Sequence, residues 1–309
     1  MMAFYFFIQY PDCHELKFHI PNIQNSLIDQ GNSMENDSTL LSSVQNTKVK
    51  QVVKLRDRSE RDRTGDFIIE GYRELLRAAD SGRLISSLFF CPEFFLGSNE
   101  PLMIDRIQKK GAQIFQCTRQ VFEKISYRDR PDGLIGIAPQ HHLSLAEFDT
   151  LYLVGQASPF LVVAEAIEKP GNLGTILRSS DAVGLHGLIV CDRCTDLHNP
   201  NVVRASVGTL FTVPVVETKS DETIRWLKEK KIAIVAATPS AEKEFTETDL
   251  SGPIGIAVGT EQIGLSKQWM EEADVCVRIP MLGTADSLNV AMATTLLLYE
   301  ALRQRRNKQ

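Results

Sequence analysis

The chain is 309 residues long, with 43% hydrophobic and 24% charged residues, which is the composition of an ordinary soluble protein large enough for two domains, each with its own core. A net charge of −5 argues against a protein that coats nucleic acid through bulk charge, but leaves room for a local basic face. Six cysteines in a chain of this length are no disulfide framework.

Residues 1–46 are rich in Asn, Gln, Ser and Asp, show no sustained periodicity, and are expected to be a disordered extension. The aromatic run at 4–7 is too short to cross a bilayer, lacks a basic flank and ends at Pro11, so a cytoplasmic protein with no membrane contact is expected. Met34 flows straight into the first helical pattern and is an alternative natural start. From Lys48 the stripe Val49, Val52, Val53 predicts a helix, and residues 67–69 a strand. A helix over 71–79, a strand over 84–90, a helix over 102–110, a short strand at 114–115, a helix over 119–125 and a strand over 134–138 follow. This alternation predicts a small α/β domain over 47–139, and the mixed residues 140–158 read as a linker.

The second domain is expected over 159–309. Continuous apolar strand signals recur at 160–163, 188–190, 213–216, 232–236, 254–258 and 275–279. Helical patterns lie between them at 173–183, 201–210, 221–230 and 267–272, and a long last helix covers 288–306. Apolar strands separated by helices imply a parallel sheet covered on both faces. Cys191-x-x-Cys194, flanked by His186 and His198, has a zinc-like spacing. A strand end beside a loop explains the same residues, and no metal is assigned.

Three blocks follow strand signals in this second domain. They are Asn172-x-Gly174-x-x-x-Arg178, Gly259-x-Glu261-x-x-Gly264-x-Ser266, and Ile279-Pro280-Met281 with Ser287-Leu288-Asn289. An open α/β sheet binds its ligand at the carboxyl ends of its strands, which is where these blocks fall. Gly259 and Gly264 let a backbone loop approach a ligand without a Cβ in the way, although a tight strand-to-helix turn needs glycine equally. Ile279 to Met281 offers an apolar wall, and Ser287 or Asn289 is placed to cap the last helix or to meet a ligand. The GxGxxG dinucleotide fingerprint is absent after the first strand. Arg178 has a plain alternative in an i,i+3 salt bridge to Asp181.

In order and wording the three blocks resemble the SpoU (TrmH) family of RNA ribose 2′-O-methyltransferases. The resemblance covers nearly everything from Lys48 onwards, including Asn199-Pro200-Asn201-Val202-Val203-Arg204 and Arg63-Thr64-Gly65-Asp66. It implies a parallel-sheet domain closed by a C-terminal trefoil knot, with S-adenosylmethionine as cofactor. Gly259, Ile279 and Leu288 would then contact that cofactor, with Met281 and Gly264 in the same pocket. Asn172, Glu261, Ser287 and Asn289 would surround the chemistry, with Arg178 as the catalytic arginine. Because arginine stays protonated at physiological pH, its role is read as a cation that orients the ribose and stabilises the forming alkoxide.

The first domain would bind RNA, through Arg56, Arg58, Arg61 and Arg63 around its first helix, unless local ion pairs consume them. The resemblance also implies a homodimer, with the stripe Met292, Leu296, Tyr299 on the last helix serving partly as interface. Ribosomal RNA of the large subunit is the expected substrate and transfer RNA the alternative. A catalytically silent RNA-binding protein on the same fold is the rival from another class, and a small-molecule methyltransferase a third.

Overall fold

A computed structural model of the chain describes residues 39–192 and 195–308. The expectations for residues 1–38, Met34 included, lie outside the described residues.

The first lobe runs β1 (Thr39–Leu41), α1 (Thr47–Lys54), α2 (Arg58–Thr64), β2 (Asp66–Glu70), α3 (Tyr72–Asp80), β3 (Ser87–Phe90), α4 (Glu100–Lys109), β4 (Gln113–Cys117), α5 (Arg119–Ile125) and β5 (Leu134–Pro139). Its sheet has the order β1-β4-β3-β5-β2, with β1, β4 and β3 parallel and β5 antiparallel to both neighbours. The presence of β1 corrects the expectation that everything before residue 47 is loosely attached. Leu41 is buried, and its carbonyl accepts from Thr118 N at 3.1 Å. A three-residue edge strand is too short to show an alternation that a sequence reading would catch.

The connection to the second lobe is more than a polar tether. It carries α6 (Leu145–Phe148), capped by Ser144 and Glu147, and buries Phe148 with its ring 6.0 Å from that of Trp226. The second lobe continues through β6 (Phe160–Glu165), α7 (Pro170–Ala182), β7 (Gly187–Cys191), α8 (Pro200–Ala205), β8 (Val215–Thr218), α9 (Ser220–Glu229), β9 (Ala233–Ala237), β10 (Lys243–Glu244), β11 (Ile254–Val258), α10 (Lys267–Glu272), β12 (Val275–Arg278) and α11 (Val290–Lys308). Its seven strands have the order β10-β12-β9-β11-β6-β7-β8, and every neighbouring pair is parallel. Every residue of β6, β7 and β11 is buried, as their unbroken apolar runs require of strands covered on both faces. One face carries α7, α8 and α11, and the other α9 and α10.

The two lobes do not keep separate cores. One apolar cluster runs from Phe67, Leu75 and Leu88 of the first lobe into Phe160, Leu177 and Val203 of the second. At the seam Phe67 packs 4.6 Å from the ring of His198, and burial pushes that imidazole down to about 4, so it is neutral at physiological pH. Beside it, Arg61 crosses between lobes to pair with Asp196 at 2.5 Å.

That contact overturns one sequence expectation. Arg61 is 1% exposed, and it also donates to the carbonyls of Leu55 and Arg56 at 2.8 and 2.7 Å, so no hydrogen is left for an RNA phosphate. The Cys191 and His186 geometry likewise forms no common site. Cys191 closes β7 while His186 precedes it, about 16 Å away along an extended strand. His186 Nδ1 accepts from Phe160 N at 2.9 Å, and Cys194 lies outside the described residues.

Removing one member of a buried ion pair strands the other. Arg61→Ala is therefore expected to lower the unfolding free energy by about 3–5 kcal/mol in a urea titration. A loss below about 1 kcal/mol would show that the pair contributes no more than an exposed one.

Candidate active site

The carboxyl ends of β9, β11 and β12 lie side by side in the sheet and open into one cavity of about 720 Å³. From β11 the chain doubles back on itself. Thr260 and Gly264 exchange backbone hydrogen bonds at 3.1 and 3.0 Å, and the Thr260 hydroxyl accepts from Ile263 N. Two glycines are required by this loop. A Cβ on Gly259 would lie 2.1 Å from the Gly264 carbonyl oxygen, and Gly264 itself has φ +72°. The turn and the ligand approach thus make the same demand at Gly259.

From β12 the chain brings Ile279 and Met281 to the cavity, then returns through Ser287 and Leu288 to the start of α11. All five residues expected to hold the cofactor, Gly259, Gly264, Ile279, Met281 and Leu288, line this one cavity. Walls of backbone and aliphatic side chains in a space this size suit a nucleoside-bearing small molecule. These residues can hold S-adenosylmethionine, which supplies an electrophilic methyl group to a positioned oxygen.

Glu261 organises the neighbouring polar cluster. Its carboxylate takes the Lys169 ammonium, Asn172 Nδ2 at 2.9 Å and Asn289 Nδ2. Asn289 Nδ2 also reaches Asn172 Oδ1 at 3.1 Å, so residues from three distant segments meet. Asn289 Oδ1 accepts from Ala291 N at 3.0 Å and caps α11, which explains why the helix starts at Val290 and not at Leu288. The cap is thus Asn289, which leaves Ser287 at the cavity wall. The hydrogen bond from Lys169, then that from Asn172, holds the Glu261 carboxyl below the ordinary carboxylate range. A carboxylate so stabilised is a weak base, and Glu261 positions its neighbours instead of accepting a substrate proton.

Arg178 is placed differently. It lies six residues beyond Asn172 on α7, some 240° around the helix, and it is exposed away from the cavity. The alternative salt bridge is not formed either, because Asp181 accepts instead from the Thr212 hydroxyl at 2.6 Å. Among the described residues Arg178 has no ion-pair partner. Of the four arginines expected to meet RNA, Arg56 donates to the carbonyls of Lys124 and Ser126, closing the end of α5. Arg58 and Arg63 are exposed and pair within α2 with Asp62 and Glu60.

The sequence reading missed three contributors. Lys169 joins Glu261, residues 238–240 after β9 line the cavity, and buried Glu165 accepts from Ser266 N at 2.7 Å. The signal for Glu165 was present: a carboxylate ending a wholly apolar strand must have a partner.

Comparison with known proteins agrees with this geometry. The SpoU rRNA methylase family matches residues 159–299, and the MRM3-like substrate binding domain matches residues 46–136. The 23S rRNA (uridine(2479)-2′-O)-methyltransferase of Streptomyces viridochromogenes is 32% identical over 265 residues, which is 81% of this chain and 87% of that protein. The 23S rRNA (guanosine-2′-O-)-methyltransferase RlmB of Pectobacterium atrosepticum is 38% identical over 210 residues, 66% of this chain and 84% of that one. Among solved structures, an AdoMet-bound rRNA methyltransferase from Sinorhizobium meliloti superposes with a TM-score of 0.78 at 30% identity, covering 86% of this chain and 98% of its own. The fold and the site together define an S-adenosylmethionine-dependent RNA methyltransferase. Within that class, the chain belongs to the SpoU family of ribose 2′-O-methyltransferases.

Because Gly259 has no room for a side chain, Gly259→Ala should displace the 260–264 loop and weaken S-adenosylmethionine binding by about tenfold or more. Gly252→Ala, where an added Cβ meets nothing within 4 Å, is the control. Equal affinities of the two variants by titration calorimetry would remove the loop from the cofactor site.

Proposed function

We propose that the enzyme methylates a ribose 2′-hydroxyl of large-subunit ribosomal RNA in the cytoplasm, and that it does so as a homodimer in which Arg178 of one subunit serves the cavity of the other. The observation that carries the reading is the placement of Arg178. The chain's own cavity has glycine loops, an apolar wall and a hydrogen-bonded Glu261, but no cation beside the place where an alkoxide would form. The free arginine is displayed outward on α7. That helix is tied to α11 by the Ser179–Thr295 hydroxyl pair at 2.6 Å. On α11, Met292, Leu296 and Tyr299 are 58%, 44% and 50% exposed, an apolar stripe at helical spacing that a second copy would cover.

The chemistry follows from the residues. The methyl group is displaced in line from a sulfonium by the ribose oxygen, so the oxygen must be held behind it and must lose its proton as it attacks. Arg178, cationic throughout, orients the nucleotide and stabilises the negative charge developing on that oxygen. Glu261 holds Asn172 and Asn289 at the cavity mouth, and Ser287 stands on its wall within the same loop system. The knotted return of the chain implied by the family belongs to this reading, since residues 279–289 come back beside the 260–264 loop. Arg58 and Arg63 remain available to RNA phosphates, because exposed pairs within a helix are weak. The choice of ribosomal over transfer RNA is supported by the relatives named above and by the substrate-binding lobe.

Mapping 2′-O-methyl marks in cells with and without the gene tests the substrate: a mark should vanish from large-subunit ribosomal RNA. A mark lost from transfer RNA with ribosomal RNA unchanged would reverse the choice. Arg178→Ala should abolish methyl transfer to saturating RNA while S-adenosylmethionine affinity stays within about twofold, because its work is on the ribose. Wild-type turnover in that variant, or a monomeric mass for a fully active preparation, would refute the shared site.

A further inference from the structure

The first lobe's basic residues are mostly engaged. Arg61 is buried, Arg56 is bound to carbonyls, and Arg58 and Arg63 carry ion-pair partners. Arg73 and Arg204 differ: both are exposed, and neither makes a hydrogen bond or ion pair among the described residues. They face a single groove of about 530 Å³ between the lobes, Arg73 from α3 and Arg204 from α8.

The rest of the groove is neither uniformly basic nor uniformly apolar. Tyr72 lines it together with Leu96, which is 82% exposed. Glu100 lines it too and is 4% exposed. Its Oε1 accepts from the backbone N–H groups of Leu96 and Gly97 at 3.1 and 2.9 Å, whereas Oε2 has no partner. Asp132 repeats the pattern, with Oδ2 accepting from Tyr72 N at 2.9 Å and Oδ1 unpartnered. Leaving a buried acceptor unmade is costly, and two in one groove wall point to a ligand that brings donors.

Cations at the rim, an aromatic and an aliphatic surface, and two acceptors awaiting donors complement a nucleotide with a phosphate, a flat base and an amine. A duplex is too wide for the groove, so the nucleotide is unpaired. The groove also borders the proposed catalytic face. Gly174 on α7 packs so tightly against α8 that a Cβ there would lie 2.4 Å from that of Ala205, the neighbour of Arg204. One turn further along α7 stands Arg178.

We propose that this groove is a subsite for one unpaired nucleotide of the substrate RNA, its phosphate at Arg73 and Arg204 and an amine-bearing base turned towards Glu100 and Asp132. It rests on the RNA reading above and adds the place and the base class that the first lobe recognises. Guanine presents two adjacent donors, N1–H and the 2-amino group. Uracil in the same position would set a carbonyl against a carboxylate.

The test uses the full chain and three labelled heptanucleotides of uridine whose central residue is guanosine, inosine or uridine, followed by fluorescence anisotropy. Inosine keeps guanosine's shape and removes only the amine. The guanosine oligonucleotide is expected to bind at least about fivefold tighter than the inosine one, within the range of a single good base contact. In Glu100→Gln, which keeps Oε1 for the loop, that difference should fall below about twofold. In Arg73→Ala/Arg204→Ala all three should weaken, and the slope of log affinity against log salt should drop by roughly 1.4, for two lost phosphate contacts on a single strand. Arg225→Ala, an exposed arginine of α9 on the opposite layer, should change neither quantity. Retained S-adenosylmethionine affinity shows that each variant is folded, and Leu96→Glu, at an exposed position, gives an independent perturbation of the groove.

Equal affinity for the three oligonucleotides in the wild type, or an unchanged salt slope in the double variant, would overturn the subsite. Guanosine preference in a protein that transfers no methyl group to any RNA would instead defeat the functional reading and leave the subsite standing.

Discussion

The parallel direction of all seven strands in the second lobe is the constraint on which the rest depends. Parallel neighbours cannot be joined by tight turns, so each strand must return over a face of the sheet, and the loops that begin these returns gather at the carboxyl edge. Both faces are thereby covered, which is why β6, β7 and β11 contain little but aliphatic residues and glycine. The functional blocks are the first few residues after such strands. Their separation by up to 117 positions in the chain is cancelled by sheet order, as the contact between Asn172 and Asn289 shows.

Within that edge, electrostatics and backbone shape have separate tasks. The cavity is built from glycine loops and aliphatic walls that carry no charge of their own, while Glu261 holds its polar partners just outside. A carboxylate already matched by an ammonium and two amides does not compete for the substrate's proton. It fixes three segments relative to one another, and a small rearrangement at any one of them would be felt at the other two. The one cation of the catalytic set that is free of partners stands outside this network, on the outward face of α7.

Much of this was legible in the residues. Period-2 and apolar-run signals placed nearly all strands of the second lobe, because long buried strands leave little room for other patterns. The cofactor set was legible because Gly259, Gly264 and the Ile279–Met281 wall follow strand ends. Less legible were features that depend on long-range pairing. Leu41 reads as part of a polar tail until Thr118 is beside it, and Phe148 reads as linker until Trp226 is under it. Arg61 was misread for the same reason. A basic helix looks solvated in sequence, and only the fold shows Asp196, 135 residues away, closing over one of its arginines. Arg178 was rightly singled out from its block, but sequence spacing placed it in the same cleft as Asn172, whereas helical geometry turns it outward.

The continuous core between the lobes has a consequence for how a substrate is handled. With Phe67 packed on His198 and Arg61 locked to Asp196, the two sheets form one body with no hinge at their junction. The distance from the first lobe's surface to the methyl donor is then a fixed length, set by side-chain packing and not by a mobile arm. Such a molecule measures its substrate as a calliper does. An RNA that presents its target ribose at the set span is modified, and one that does not must bend or unpair to reach it, so the cost of a poor fit falls on the nucleic acid.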